Sequence, residues 1–167
     1  PKSIGNGLTF PRSLSGREEI CSGIAMLSDR VAVRLRRAGM KAAGVSLAIR
    51  DPDFRDISRQ RRLEPPTCLA RELSQAAVSL AEGCWNMDSP VRALTVTALY
   101  LISEDQAGVQ LDLLGQADAP RRDRLERLDR TLDQIRAKYG RNAISPASSA
   151  GVCQGGVQEE DEEGATS

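Results

Sequence analysis

A predicted β-hairpin over residues 44–67 constrains the fold of this chain more than any other feature. In its first strand, apolar residues occupy every second position, the pattern of a strand with one buried face: Val45, Leu47 and Ile49. Asp51-Pro52-Asp53 then supplies turn-forming residues. The second strand carries a basic cluster: Arg59, Gln60, Arg61 and Arg62. The hairpin therefore predicts a sheet with one apolar face and one face rich in Arg, Ser and Gln, which would suit a phosphate backbone.

Strand and helix signals flank the hairpin on both sides. A strand interrupted by glycines is predicted over Lys2–Phe10, and a last strand over Val91–Ile102. A helix is predicted after a capping box, Ser15-x-x-Glu18, with an apolar stripe at helical spacing: Ile20, Ile24, Leu27, Val31 and Leu35. Another is predicted with Thr67 as its N-cap and a similar stripe: Leu69, Leu73, Ala77, Leu80 and Cys84.

The order strand, helix, strand, strand, helix, strand predicts an α+β fold. It is the split βαβ, ferredoxin-like arrangement, with a four-stranded sheet and two helices on one face. The other face is open and carries the alternating polar side chains. We expect these to be Ser46, Arg50, Ser58, Gln60, Arg62, Thr95 and Thr97. Arg59 and Arg61 share the parity of apolar Ile57, so one of these arginines is expected at a strand end or a bulge.

The net charge of zero conceals an uneven distribution along the 167 residues. Residues 1–103 contain 15 Lys and Arg against 10 Asp and Glu, whereas residues 151–167 contain five acids and no base. A basic body with an acidic tail favours a polyanionic partner for the body and a tail that screens it. Ordinary solvated surface charge explains the same numbers, so charge alone does not choose between them.

The cysteine and histidine content excludes several classes of site. The four cysteines show no C-x-x-C pairing, and the chain has no histidine, which argues against zinc and excludes a histidine base or a Ser-His pair. Reduced cysteines in predicted helices behave as small apolar residues and indicate a cytoplasmic protein. No segment has the pattern of a membrane span or a signal peptide.

Three segments, taken in order, resemble the little finger domain of Y-family translesion DNA polymerases, the DNA polymerase IV and UmuC-like group. They are KSIGNGLTF at residues 2–10, IRDPDFRDISRQRRLEPPT at residues 49–67 and SPVRALTV at residues 89–96. The resemblance covers about residues 1–103. It implies a domain that lays its sheet in the major groove of primer–template DNA and contacts phosphates of both strands, for DNA repair and damage tolerance.

The resemblance also implies which residues face DNA. The positions that match are Lys2, Ser3, Gly5, Asn6, Arg59, Gln60, Arg61, Arg62, Arg92 and Thr95, and Arg50 joins them on the predicted open face. Arg, Ser, Thr, Gln and exposed amides are suitable phosphate donors, and glycines let a backbone approach closely. Recognition of this kind is independent of base sequence.

Catalysis is expected to lie outside this chain. Two-metal nucleotidyl transfer needs clustered carboxylates around Mg²⁺, and the acids here fall in turns, on helix surfaces or in the tail. The resemblance therefore implies a non-catalytic piece of a nucleotidyltransferase, without a cofactor of its own, whose Mg²⁺ belongs to the missing catalytic domains.

Beyond residue 103 the chain changes character. Gln110-Leu111-Asp112-Leu113-Leu114 resembles the pentapeptide with which bacterial polymerases dock on the sliding clamp, Leu114 standing where Phe is usual. A loop or a short added strand is the alternative interpretation of these five residues. The boundaries are predicted as a little finger over 1–103, a linker with the candidate clamp peptide over 104–119, a helix over 120–140 and a disordered acidic tail over 141–167.

The predicted helix after the linker carries apolar residues at 3-4-3-4 spacing: Leu125, Leu128, Leu132, Ile135 and Tyr139. It ends at Gly140 in the sequence IRAKYG, which is similar to a segment of polymerase IV-like and UmuC-like chains. Packing on the little finger, pairing with another helix and folding on a partner are all compatible with this pattern.

Two functions of other classes remain open at this point. A ferredoxin-like sheet with basic residues could be an RNA-recognition module, but such modules stack bases on sheet aromatics, and this chain has two Phe, two Tyr and one Trp. A ligand-sensing regulatory module would need a polar pocket between protomers or domains. Salt-sensitive binding to DNA would distinguish a DNA-holding domain from these alternatives.

Overall fold

The computed structural model describes residues 2–107 and 119–140 in full, and residues 159–160 as backbone. The elements are β1 (Ser3–Leu14), α1 (Arg17–Arg37), β2 (Met40–Arg50), β3 (Asp56–Thr67), α2 (Ala70–Cys84), β4 (Val91–Ser103), α3 (Ala119–Tyr139) and β5 (Glu159–Glu160). Residues 104–107, directly after β4, are also helical. Within the described chain, no helix has the length and apolar character needed to cross a membrane.

The sheet has the strand order β3-β2-β4-β1-β5, and the paired strands are antiparallel. Strands β1 and β2, which α1 connects, are separated by β4. Strands β3 and β4, which α2 connects, are separated by β2. Both βαβ units are therefore split by a strand of the other unit, and the predicted split βαβ sandwich is confirmed.

Helices α1 and α2 pack on each other and on one sheet face, where they close a single apolar core. All five residues of the predicted α1 stripe are buried, and α2 contributes Leu73, Ala77 and Ala81. The strands supply alternate residues to the same core: Ile4, Leu8, Phe10, Val45, Leu47, Ile49, Leu94, Val96 and Ala98. The period-two and 3.6-residue patterns therefore assign the two faces of the sheet correctly over β2 and β4.

The predicted N-caps of both helices were wrong by one or two residues. Helix α1 follows Gly16, whose φ of 84° lies in the left-handed region that glycine tolerates, and no side chain caps it. The Ser15 amide donates to Glu19, at 3.0 Å, rather than to Glu18. Helix α2 starts at Ala70, while Thr67 still belongs to β3 and accepts a hydrogen bond from the Leu69 amide.

Helix α3 lies against the rest of the domain through charged side chains. Its acids Asp129 and Asp133 both contact Arg36 of α1, and Glu126 contacts Lys41 of β2. None of its residues is buried, and Leu128 and Tyr139 of the apolar stripe remain 53% and 68% exposed. The other three residues of the stripe, Leu125, Leu132 and Ile135, are half-buried, so the stripe takes only a partial share in docking this helix.

Candidate nucleic-acid interface

The open face of the sheet, defined here as the side away from α1 and α2, carries polar residues in rows across the strands. One row reads Gln60, Ser46, Thr97 and Gly5 from β3 to β1. The next reads Ser58, Ala48, Thr95 and Gly7, in the same strand order. The Ser46 and Ser58 hydroxyls lie 3.4 Å apart across two strands. The face therefore offers hydroxyl and amide donors in a regular array, as a phosphate backbone requires.

Two glycines make β1 flat on this face. A Cβ at Gly5 would lie 2.9 Å from the Thr97 hydroxyl oxygen, and a Cβ at Gly7 would lie 2.6 Å from that of Thr95. Both distances are too short for a carbon atom, so the threonine hydroxyls stand where side chains of β1 would otherwise be. Both glycines are themselves buried, and the Gly5 carbonyl accepts a hydrogen bond from Arg34 at 2.7 Å, so the threonine side chains and not the β1 backbone form the surface here.

Arg62 is the arginine of the basic cluster that faces the open side. It lies opposite Gly44 of β2, and its guanidinium stacks on the Tyr100 ring, 4.1 Å from the ring centroid. Tyr100 has a φ of 52°, and its ring lies so close over Gly44 that a Cβ there would be 2.7 Å away. Cation–π stacking of this kind holds the positive charge at a defined place on the face.

Arg59 and Arg61 lie on the other side of β3. Their partners across β2 are Leu47 and Val45, whose side chains enter the core. Both arginines nevertheless stay exposed, because β3 is an edge strand of the sheet and core packing does not enclose these positions. Neither arginine lies at a bulge or a strand end, so that expectation was wrong. The basic cluster is divided into one arginine on the open face, Arg62, and two on the helix side.

Asn6 departs most from its expected position. It pairs with Val96 and points toward the helices, with 5% of its surface exposed. Its Oδ1 has no hydrogen-bond partner among the described residues. In β1 the parity that leaves Gly5 and Gly7 on the open face necessarily sends Asn6 inward. The structure does not bring this side chain to the open face.

The remaining expected residues lie at the margins of the face. Lys2 is exposed and Ser3 is half-buried at the start of β1. Arg50 forms a two-pronged ion pair with Asp56, at 2.7 and 3.1 Å, whose hydrogen bonds lower the pKa of the Asp56 carboxyl. Arg92 donates to the Pro11 carbonyl at 3.3 Å. The charges of Arg50 and Arg92 are thus partly engaged within the domain.

Tyr100 and Gly44 are parts of the face that the sequence pattern did not indicate. The run Leu99-Tyr100-Leu101-Ile102 lacks the alternation seen earlier in β4, and that loss of alternation was the available signal. The candidate clamp residues Gln110–Leu114 lie outside the described residues. Among residues 2–107 and 119–140, no group of three or more Cys, Asp or Glu side chains is placed to hold a metal ion.

Comparison with known families agrees with this geometry. The profile of the impB/mucB/samB family C-terminal domain matches residues 1–113. The chain belongs to this family. The impB/mucB/samB C-terminal domain described here is 36% identical over 139 residues to DNA polymerase IV of Acetivibrio thermocellus, covering 83% of this chain and 34% of that protein. It is 35% identical over 158 residues to DNA polymerase IV of Moorella thermoacetica, covering 93% and 38%.

The fold of this impB/mucB/samB domain is also that of a solved little finger domain. The solved structure is a complex of the beta-clamp processivity factor and the little finger domain of PolIV. The likeness has a TM-score of 0.50 at 16% identity and covers 60% of this chain and 89% of the other. The chain spans about a third of the length of the curated relatives that it matches.

Proposed function

We propose that this chain is a non-catalytic domain that holds primer–template DNA for a translesion DNA polymerase of the DNA polymerase IV type. The observation that carries the proposal is the open face, where rows of hydroxyls and amides run from β3 to β4 and Arg62 adds a fixed charge. Donors of this kind suit phosphates and do not read bases. Relatives named DNA polymerase IV support the same assignment.

Under this proposal, Ser3, Gln60, Arg62 and Thr95 contact the phosphate backbone directly, and Gly5 leaves room for the Thr97 hydroxyl on the same face. Arg59 and Arg61 project from the helix side of an exposed edge, and they reach DNA only where it passes around β3. Nucleotidyl transfer and the Mg²⁺ that it needs are assigned to parts of the longer relatives outside the matched third. The parent protein is proposed to be cytoplasmic, where the thiols of Cys21, Cys68 and Cys84, which are free in the structure, would stay reduced.

Fluorescence anisotropy with a labelled primer–template duplex of arbitrary sequence tests the DNA-holding proposal. We expect weak binding that is independent of sequence, with a log–log salt slope of about −0.9 for each phosphate neutralised. Arg62→Gln should make that slope less negative by about 0.9, the contribution of one phosphate, and the change should be the same for all DNA sequences. Arg71→Gln, which removes an exposed charge from α2 in the helix layer, is the matched control.

An equal effect of Arg62→Gln and Arg71→Gln would contradict the assignment of the open face. Failure of a folded sample to bind DNA at low salt would contradict DNA holding as a whole. It would favour the ligand-sensing alternative. The RNA-recognition alternative is disfavoured by the face itself, because Tyr100 is the only aromatic residue outside the core in the strands that the structure describes, and Arg62 covers its ring.

Docking on the sliding clamp is the second proposed function. It rests on the sequence of Gln110–Leu114 and on the fold shared with a little finger domain solved together with the beta clamp. Leu111 and the pair Leu113-Leu114 would fill an apolar pocket. Replacement of Leu111 and Leu113 by Ala should remove clamp binding in a pull-down or by surface plasmon resonance, and it should leave DNA affinity unchanged. Simultaneous loss of both activities would indicate misfolding and would not support the assignment.

A further inference from the structure

Helix α3 presents a row of charges to the body of the domain, which is taken here as β1 to β4 with α1 and α2. The row follows 4-3-4-3 spacing along one side of the helix, and its residues are Arg122, Glu126, Asp129, Asp133 and Arg136. Their partners on the body are Glu72, Lys41, Arg36 and Asp29, with Arg36 shared by both aspartates. The charge order plus, minus, minus, minus, plus on α3 thus meets minus, plus, plus, minus on the body.

The central pairs of this row are withdrawn from water. The Arg36 side chain is 4% exposed and forms a two-pronged contact with Asp133, at 2.6 and 2.9 Å. Its third contact, to Asp129, is 3.0 Å long. Lys41 is 9% exposed and contacts Glu126 at 2.7 Å. Pairs with this geometry are specific, because removal of one partner leaves a buried charge unpaired.

Asp129 has a second role at the start of α2. The Ala70 amide, at the first residue of that helix, donates to Asp129 at 3.4 Å, while α2 has no capping side chain of its own. Burial raises the pKa of the Asp129 carboxyl, and the nearby Arg36 opposes that shift. Asp129, which is remote in sequence from α2, therefore supplies the negative charge that stabilises the N-terminus of α2.

We propose that these body residues form a docking site for a helix of this charge order, and that α3 occupies it as an electrostatic strap. Because α3 contacts the body mainly through charged side chains, and its apolar residues Leu125, Leu132 and Ile135 are no more than half-buried, neutralising the ion pairs releases it as a unit while the sheet, α1 and α2 stay folded. Docked, the strap returns the chain to the body after Ala107, which is itself buried.

Amide hydrogen exchange on the full chain tests the strap without DNA or clamp, so its outcome is independent of both proposed functions. The test variant is Asp129→Asn with Asp133→Asn, and the control is Arg127→Gln, an exposed position on the same helix. We expect amide protection across α3 to fall at least about tenfold in the test variant, whereas protection in β2 and β4 changes by less than about twofold. Raising salt from about 0.1 M to about 1 M, which shortens the Debye length from ~10 to ~3 Å, should act in the same direction on the unmodified chain but more weakly than the double variant, because buried pairs are screened less than exposed ones.

Cys68 supplies a second readout inside the same interface. Its carbonyl accepts from Arg36, and burial, followed by the charge of Glu126, raises the pKa of its thiol to about 11. With Cys21, Cys84 and Cys153 replaced by Ala, we expect alkylation of Cys68 to speed up at least about tenfold when the strap is released. Arg136→Asp should also loosen α3, and adding Asp29→Arg should restore its protection by reversing the pair.

Three results would overturn the proposal. The first is α3 protection that neither salt nor the double variant reduces, since apolar packing would then hold the helix. The second is loss of protection in α3 together with β2 and β4, since the strap would then not be a separate unit. The third is failure of the charge-reversed pair to restore protection when Arg136→Asp alone has removed it.

Discussion

Leu27 of α1 and Leu128 of α3 are the same residue type in helices of 21 residues each, yet Leu27 is fully buried and Leu128 is half exposed. Helix α1 packs an apolar stripe into the core, whereas α3 contacts the body through a row of ion pairs. Apolar burial is non-directional and insensitive to screening, and ion pairs are directional and screened by salt. The two helices should therefore differ in what removes them from the domain.

The largest expected difference comes from truncating those two leucines. Leu27→Ala should lower the free energy of unfolding by about 2–5 kcal/mol, because it removes core contacts and leaves a cavity. Leu128→Ala should change it by no more than about 0.5 kcal/mol, because about half of that residue is already exposed and it lies outside the core. Urea denaturation followed by far-UV circular dichroism measures both. Equal losses would mean that α3 contributes apolar packing to the domain.

A smaller effect is expected within the body, where β1 meets β4. Gly7→Ala should cost about 1–3 kcal/mol of stability, because the new methyl group would overlap the Thr95 hydroxyl. Thr95→Ala removes that hydroxyl, so most of the cost should disappear in the double variant when the same denaturation is repeated. If the double variant loses as much stability as Gly7→Ala alone, the loss comes from the backbone of β1 and not from overlap with the Thr95 hydroxyl.

The smallest expected effect concerns an ion pair on the surface of the body. Hydrogen bonds from Arg12 and from the Ser15 amide lower the pKa of Glu19 from its ordinary 4.5 to about 2. Because the carboxyl is more acidic in the folded state, its contribution to stability is complete above about pH 4.5 and is lost as the pH falls toward 2. Glu19→Gln should flatten the dependence of the urea midpoint on pH in that window.

The Arg12 side chain is largely in water, so solvent screening makes its pair with Glu19 a weak contributor. A pH dependence in Glu19→Gln equal to that of the unmodified chain would assign the acid sensitivity to other carboxyls. Asp56 would then be the next to replace, because hydrogen bonds from Arg50 also lower the pKa of its carboxyl.

Within the candidate interface, the sequence pattern predicts the orientation of side chains correctly where one face of a strand is fully buried. On β2, alternation of Val45, Leu47 and Ile49 placed Ser46 on the open face, and the structure agrees because a strand in the middle of the sheet has one face fully covered. On β3 the same reasoning failed to place Arg59 and Arg61. Side chains of an edge strand can remain in solvent on either face, so the sequence there does not show which face each residue lies on.

Asn6 shows a related limit on the other edge of the four main strands. The resemblance to little finger domains implied that Asn6 faces DNA, but pairing with Val96 sends it inward. A single polar residue among apolar ones in a strand does not reveal its side unless its register with the next strand is known. The resemblance to little finger domains identified the family and the fold, and it could not fix this orientation.

The sequence by itself determined the four main strands, the two core helices and their order, because repeating apolar patterns report which side of each element is buried. Only the tertiary structure decided which arginines share the face with Thr95 and Thr97, and that α3 docks by its charges while Leu128 stays in water. Apolar burial leaves a periodic trace along one segment. An ion pair joins residues far apart in the chain, such as Arg36 and Asp133, and its partners become known only when the chain is folded.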